Sequence, residues 1–355
     1  MTYKTQKIYA VMISYEPIVH GEVPPYRTHK EKGAPLKFLR KDIIYPVKNG
    51  TKIDYAVAKV PVITGNSYRG QVRRIFMHRV FKELEMPASV LKADVIFWLA
   101  GGGSTGKGDV GNVFQLGFIN EIREKLPFAD LLGGSLRGIF MKSRFRSGFV
   151  YPIVKETYHL MNPAVVEKFD FNGLLSVTTT EPEKKLMIDT IRFTRSKLDE
   201  TFSVYSTDVI AIEAEENGDD TEKNGKIKEQ GIYGAEILPP GTPLFTYLSL
   251  VNPSGSEIVE AAYHAFIETF VENGMLGGYQ AKGCGGVNTE LYAEDGTPFV
   301  QINKAGKFWE YLRQNKDSIK NFLTVNLNSY IDQANIMRKE KLEKLKETQK
   351  AKGGK

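Results

Sequence analysis

The sequence is poor in cysteine, and in several stretches it is poor in acid. Cys284 is the single thiol, which excludes a disulfide framework and any multi-cysteine zinc site. Nothing in the residue pattern points to a bound metal or cofactor, and neither is expected. No apolar run approaches the ~20 residues that span a bilayer, so no membrane partner is expected either. The opening stretch, MTYKTQKIYAVMISYE, lacks the layout of a signal peptide, and a cytoplasmic location is the expectation. From Leu132 to Val154 the chain carries Arg137, Lys142, Arg144 and Arg146 without one Asp or Glu.

A more specific lack sits in Asp94–Asn112, DVIFWLAGGGSTGKGDVGN. An apolar run leading to Gly106-Lys107 resembles the start of a nucleotide phosphate loop. Such a loop needs Ser or Thr after the lysine to hold magnesium, and its glycines must open a helix. Gly108 follows Lys107 instead, and Gly111 and Asn112 make a poor first helical turn. The stretch reads as a flexible glycine loop on an insertion, where Lys107 is at most a contact to a backbone phosphate.

What is present is an ordinary soluble composition, 41% hydrophobic and 25% charged, with a net charge of +6. Arg338–Lys355 holds eight basic and three acidic residues, so the other 337 carry 48 − 8 = 40 against 42 − 3 = 39. The body is therefore nearly neutral but sorted. His20–Lys82 contains fourteen Lys/Arg and four Asp/Glu, while acid collects in Glu213–Glu229. Sorting of this kind predicts a positive surface on part of the fold.

Apolar patterning predicts strands at Ile8–Ser14, Val60–Ile63, Ser176–Phe193, Ser203–Ile212, Leu244–Val251 and Gly286–Tyr292. Pro17–Lys59 reads as a long, basic, Pro- and Gly-containing connection. Val72, Ile75, Phe76, Val80 and Leu84 recur at helical spacing from Ser67 onward, and Ser254–Glu257 has the spacing of a capping box before a second helix. Lys304–Lys355 reads as helical with a basic tail. The order strand, helix, inserted strands, helix, strand predicts an α+β fold with a ferredoxin-like core and large insertions.

Two stretches carry anion chemistry. In PVITGNSYRGQVRRIF, Pro61–Phe76, a helix begins with Arg69 in its first turn and Arg73 and Arg74 in its second. A helix N-terminus is partly positive, so cations there are unfavourable unless an anion is bound. The amides, Asn66, Ser67 and an Arg69/Arg73 pair set apart from the Val72/Ile75/Phe76 stripe would form a phosphate site. On this reading, replacing both arginines with alanine leaves the fold intact. The other stretch is GMLGGYQAKGCGGVNTEL, Gly274–Leu291, where glycines admit another backbone, Tyr279 offers a stacking ring and Lys282 a phosphate contact.

Together these stretches resemble the RAMP superfamily of CRISPR-associated proteins, and within it the guide-RNA-binding backbone subunit, type IV first and type I-D second. VITGNSYRGQVRR (Val62–Arg74) is similar to the family's "PGSSLRGxxR" element, and GGYQAKGCGGV (Gly277–Val287) to its glycine-rich loop. YGAEILPPGTP (Tyr233–Pro243) and LLGGSLRGIFMKSRFRSGFVYP (Leu131–Pro152) resemble two further segments, all in the family's order. The resemblance implies a palm of RNA-recognition-motif type over residues 1–303. It carries a finger insertion at about 92–165 and a β-hairpin thumb at about 188–232, with a helical extension over 304–355. It implies copies stacked head to tail on CRISPR guide RNA, other effector subunits, and target DNA or RNA paired through the guide. The residues it places against RNA are Asn66, Ser67, Tyr68, Arg69, Arg73, Arg74, Arg27, His29, Lys30, Arg137, Lys142, Arg144, Arg192, Arg195, Lys197, Gly277, Gly278, Tyr279, Gln280 and Lys282.

Two function classes follow from the resemblance: a non-catalytic scaffold, or a subunit that cuts target RNA with an aspartate in the loop after the first strand. The corresponding loop is basic at Arg27-Thr28-His29-Lys30, and its one aspartate, Asp42, stands beside Arg40 and Lys41. That departure favours the scaffold.

Overall fold

The computed structural model describes residues 4–21, 36–87, 89–104, 116–137, 139–168, 178–179, 189–193, 233–252, 254–299 and 304–353. Arg27, His29, Lys30, Lys107, Arg195, Lys197 and the acidic Glu213–Glu229 segment lie outside the described residues, as does most of the expected thumb.

The chain opens with β1 (Lys4–Ser14), β2 (Arg40–Asn49), β3 (Lys52–Pro61) and α1 (Gly65–Glu83). An inserted stretch contains α2 (Ala93–Ile96), a π-helical turn over Phe97–Gly101, β4 (Gly103–Ser104), α3 (Leu116–Lys125), α4 (Pro127–Leu132), β5 (Gly134–Leu136) and β6 (Ile139–Met141). Then come β7 (Phe145–Ser147), β8 (Tyr151–Pro152), α5 (Pro163–Val166), β9 (Asp189–Phe193), β10 (Tyr233–Ile237), β11 (Pro243–Asn252), α6 (Glu257–Asn273) and β12 (Val287–Tyr292). The chain ends in α7 (Lys304–Gln314), α8 (Lys316–Asn321), a second π-helical turn and α9 (Leu327–Gly353).

Alternation along KTQKIYAVMIS makes β1 a strand with one interior face, and Ile8, Ala10 and Met12 are fully buried. β1 pairs antiparallel with β11, Lys4 opposite Asn252 through Ile13 opposite Pro243, and with β12, Tyr9 opposite Tyr292. The sheet order is β12-β1-β11-β7, with β8 also against β11. α1 and α6 cover the face carrying Ile8, Leu244, Leu248 and Phe145. Tyr68, Val72, Phe76, Met77 and Val80 form the inner stripe of α1. Ile75, expected in that stripe, is 43% exposed. The architecture is α+β.

Three expectations change. Pro17–Lys59 is not a plain connection, because β2 and β3 form a ten-pair antiparallel hairpin from Arg40–Pro61 to Asn49–Lys52. Gly50-Thr51 makes the turn between the paired Asn49 and Lys52, with Gly50 at φ +61°. The N-cap of α6 is Ser256, whose Oγ accepts from Val259 N, while Ser254 binds Asn252. The C-terminal helices are part of the core: Phe308 stacks on Phe76 at 5.6 Å, and the Arg79 guanidinium lies 4.4 Å from the Trp309 ring centroid. Among the described residues, no helix is long and apolar enough to cross a membrane.

Candidate nucleic-acid interface

Helix α1 starts where β3 ends and the chain bridges to Val150 through Ile63. Thr64 is the N-cap, its Oγ1 accepting from Ser67 N at 3.3 Å. The Thr64 N–H donates to His20 Nε2 at 3.2 Å, so that imidazole nitrogen must be unprotonated. The first turn contains no acidic residue, and Asn66 is exposed there. Gly65 sits so close to β7 that a Cβ would lie 2.6 Å from the Ser147 carbonyl oxygen.

Burial holds the pKa of His20 below its ordinary 6.5. The unfolded chain therefore takes up this proton more readily than the folded one. Stability from this group is complete above pH 6.5 and declines as the pH falls below it. We expect the melting temperature to drop between pH 7.5 and pH 5.5. His20→Gln, which keeps an acceptor, should flatten that profile; an unchanged profile would assign the pH dependence to other groups.

The arginines of α1 divide into three. Arg74 is exposed. Arg69 is half-buried and donates to the Leu132 carbonyl at 3.1 Å. Arg73 is 2% exposed, and its guanidinium donates to the carbonyls of Leu99 (2.6 Å), Trp98 (2.6 Å), Gly133 (2.8 Å) and Leu132 (3.2 Å). Burial pushes its pKa down to about 9. Arg69 and Arg73 share a face, as their spacing predicts, but that face is covered. Their partners are carbonyls at the C-terminal ends of the π-helical turn and of α4, where the helix dipole favours a cation. Arg73 is thus a tie between α1 and the insertion rather than an exposed phosphate ligand. Tyr68 is also interior, its hydroxyl 3.2 Å from the Gly148 carbonyl and 3.3 Å from Thr246 Oγ1.

The basic run 132–154 finds its acid in the insertion. Arg137 Nη2 meets Asp94 Oδ2 at 2.9 Å, and Arg144 Nε meets Asp130 Oδ1 at 3.1 Å. Asp130 is buried between Arg144 and Arg123; desolvation raises its pKa and the two guanidiniums oppose that rise. Lys142 is exposed. Arg192 lies on β9 opposite Gly234 of β10.

The glycine-rich loop between α6 and β12 lies against the segment following β1. Gly285 N donates to Pro17 O at 2.9 Å, Gly278 N to Val19 O at 2.8 Å, and Gly286 N to Glu16 Oε2 at 2.9 Å. Gly277 has φ +76°, and a Cβ there would run into the Val19 carbonyl. Gln71 of α1 donates its side-chain amide to the Gly277 carbonyl, which joins the two stretches singled out by sequence. At the loop's tip Gly278, Gln280 and Lys282 are exposed, and Lys282 Nζ is 5.6 Å from the Tyr279 ring centroid. Tyr279 is held in left-handed backbone, φ +58°, a conformation unfavourable for an aromatic residue. His20 and Gln71 were not among the expected site residues, and no local sequence signal marks either. Among the described residues no cluster of His, Cys, Asp and Glu could hold a metal ion.

No family model matches the chain, and no curated protein matches it. Among solved structures, a chain of a Type IV-B CRISPR complex is similar over 80% of this chain and 90% of its own, at 17% identity and a TM-score of 0.43.

Proposed function

We propose that the protein is a non-catalytic backbone subunit that polymerises along CRISPR guide RNA and presents guide bases to a target. The observation that carries this reading is the joint between the acid-free start of α1 and the glycine loop, made by Gln71 and Gly277. Asn66 and Arg74 on α1 and Gln280 and Lys282 on the loop are exposed, and with Tyr279 they offer anion donors and a stacking ring on the two elements that meet there. The sheet order β12-β1-β11-β7, with helices after the first and third of these strands in chain order, supports a ferredoxin-like palm. Asp42 is an exposed strand residue opposite Lys59, with no second carboxylate across the strand, which favours the scaffold over an RNA-cutting subunit.

Self-assembly has a candidate surface. On one face of the β2–β3 hairpin Ile44, Ile53, Tyr55 and Val57 are each at least 62% exposed, an apolar patch of the kind that marks protein contacts. When the protein is co-expressed with its CRISPR array, we expect it to co-purify with RNA of uniform length and to elute far above 39.9 kDa. The pair Ile53→Asp and Val57→Asp should shift elution toward the monomer without lowering the melting temperature. A nucleic-acid-free monomer in the unsubstituted protein would overturn the proposal. Regularly spaced, metal-dependent cuts in a complementary RNA, lost in Asp42→Ala, would favour the cutting subunit instead.

A further inference from the structure

The sheet has a second face, opposite α1 and α6. In register across it, Arg146 lies beside Ser249 and Ser249 beside Lys7; the next row holds Tyr247, Tyr9 and Tyr292. Val11 and Phe245 of the row below, and Tyr292 at the β12 end of the tyrosine row, are covered by Ile153, Met161 and Val165. Within the upper rows Tyr247 is 39% exposed, Arg146 is exposed and Lys7 and Tyr9 are half-buried, while Ser249 and Tyr292 are buried; Phe149 borders them at 38%. The Lys7 ammonium lies 4.9 Å from the Tyr9 ring centroid and 4.6 Å from that of Tyr247. Gly148 makes room for this arrangement, since a Cβ there would sit 2.6 Å from the Tyr247 ring. Neither Lys7 nor Arg146 has a carboxylate partner among the described residues, unlike Arg137 and Arg144.

Two tyrosines paired across the central strands, flanked by unneutralised cations, match one ligand chemistry in particular. A base stacks on a tyrosine ring whatever its identity, and the adjoining phosphates need cations without competing carboxylates. An apolar protein partner would have no use for Lys7 and Arg146, and an acidic peptide would have none for the ring pair. We propose that this strip binds single-stranded nucleic acid, with a base taking the place of the Lys7 ammonium over Tyr247 and phosphates at the displaced Lys7 and at Arg146. It is separate from the α1 and glycine-loop joint and does not depend on the function proposed there.

The test uses the full chain and two fluorescent eight-nucleotide probes, oligouridylate and oligodeoxyuridylate, the former with a 4-thiouridine for photocrosslinking. Tyr247→Ala should weaken binding about tenfold, and Tyr247→Phe should leave it near the unsubstituted value, because stacking does not need the hydroxyl. Lys7→Gln with Arg146→Gln should flatten the dependence of log affinity on log salt by about 1.4, or about 0.7 for each cation removed. Crosslinks should map to the peptides holding Tyr9 and Tyr247. The two probes decide whether the sugar is read: equal affinity supports backbone-and-stacking recognition, and an RNA preference supports the same strip with a 2′-hydroxyl contact. Unchanged affinity and salt slope in folded Tyr247→Ala and Lys7→Gln/Arg146→Gln proteins would overturn the proposal, even if RNA co-purifies through the other joint.

Discussion

Arg73→Ala will lower the melting temperature by about 4–7 °C, taking a loss on the order of 3–5 kcal/mol and an unfolding entropy of about 2.1 cal/mol/K per residue. The reason is the four carbonyls gathered by one buried guanidinium, two from the π-helical turn and two from the end of α4. Alanine removes the guanidinium's donations to all four in a closed space, leaving Leu132 O to Arg69 and Trp98 O to the Gly102 amide. Arg73→Lys should restore only part of the loss, since a point charge cannot reach four acceptors at once. Arg74→Ala, an exposed neighbour, should shift the midpoint by less than about 1 °C. Thermal melts of the three proteins decide the matter. Equal melting temperatures for Arg73→Ala and the unsubstituted chain would mean that the tie is not formed in solution.

Gly277→Ala should be severe where Gly278→Ala is mild, although the two glycines are adjacent. At Gly277 a methyl group meets the Val19 carbonyl, and the backbone is left-handed; at Gly278 the nearest atom is 3.9 Å away and φ is ordinary. The chain must therefore open either the loop or the segment after β1, at a cost on the order of 2–4 kcal/mol. Because Gln71 holds the Gly277 carbonyl, the same substitution should displace the loop from α1. RNA co-purification is expected to fall at least tenfold in Gly277→Ala and to persist in Gly278→Ala. Similar behaviour of both variants would remove the geometric argument for this loop.

Much of the fold was legible because it is written in local patterns. β1, α1, α6 and β11 follow from period-two and helical spacing of apolar residues. The β2–β3 hairpin was legible too, since Gly50-Thr51 stands between alternating runs, but the basic and proline-containing context drew it toward a loop reading. Arg73 could not be read. Its spacing correctly put it on a face with Arg69, but the partners on that face are backbone carbonyls, which have no letter in the sequence. Arg137 and Arg144 show the same limit, because their carboxylates, Asp94 and Asp130, lie 43 and 14 residues upstream. Tyr9 and Tyr247 are neighbours only through the long-range register of β1 and β11.

That register also sets an order of events during synthesis. Tyr9 pairs with Tyr247 on one side and Tyr292 on the other, so the strand made first sits between two of the last made. At about 5–20 residues per second, β1 waits roughly ten to sixty seconds for its neighbours to leave the ribosome. Through that interval IYAVMIS is an apolar, β-prone segment without a partner, guarded by Lys4 and Lys7 on its upstream side. Chains broken off before Pro243 can never complete the sheet, whatever else they fold. Yield of intact protein should therefore respond to translation speed and to chaperones that hold extended N-terminal segments.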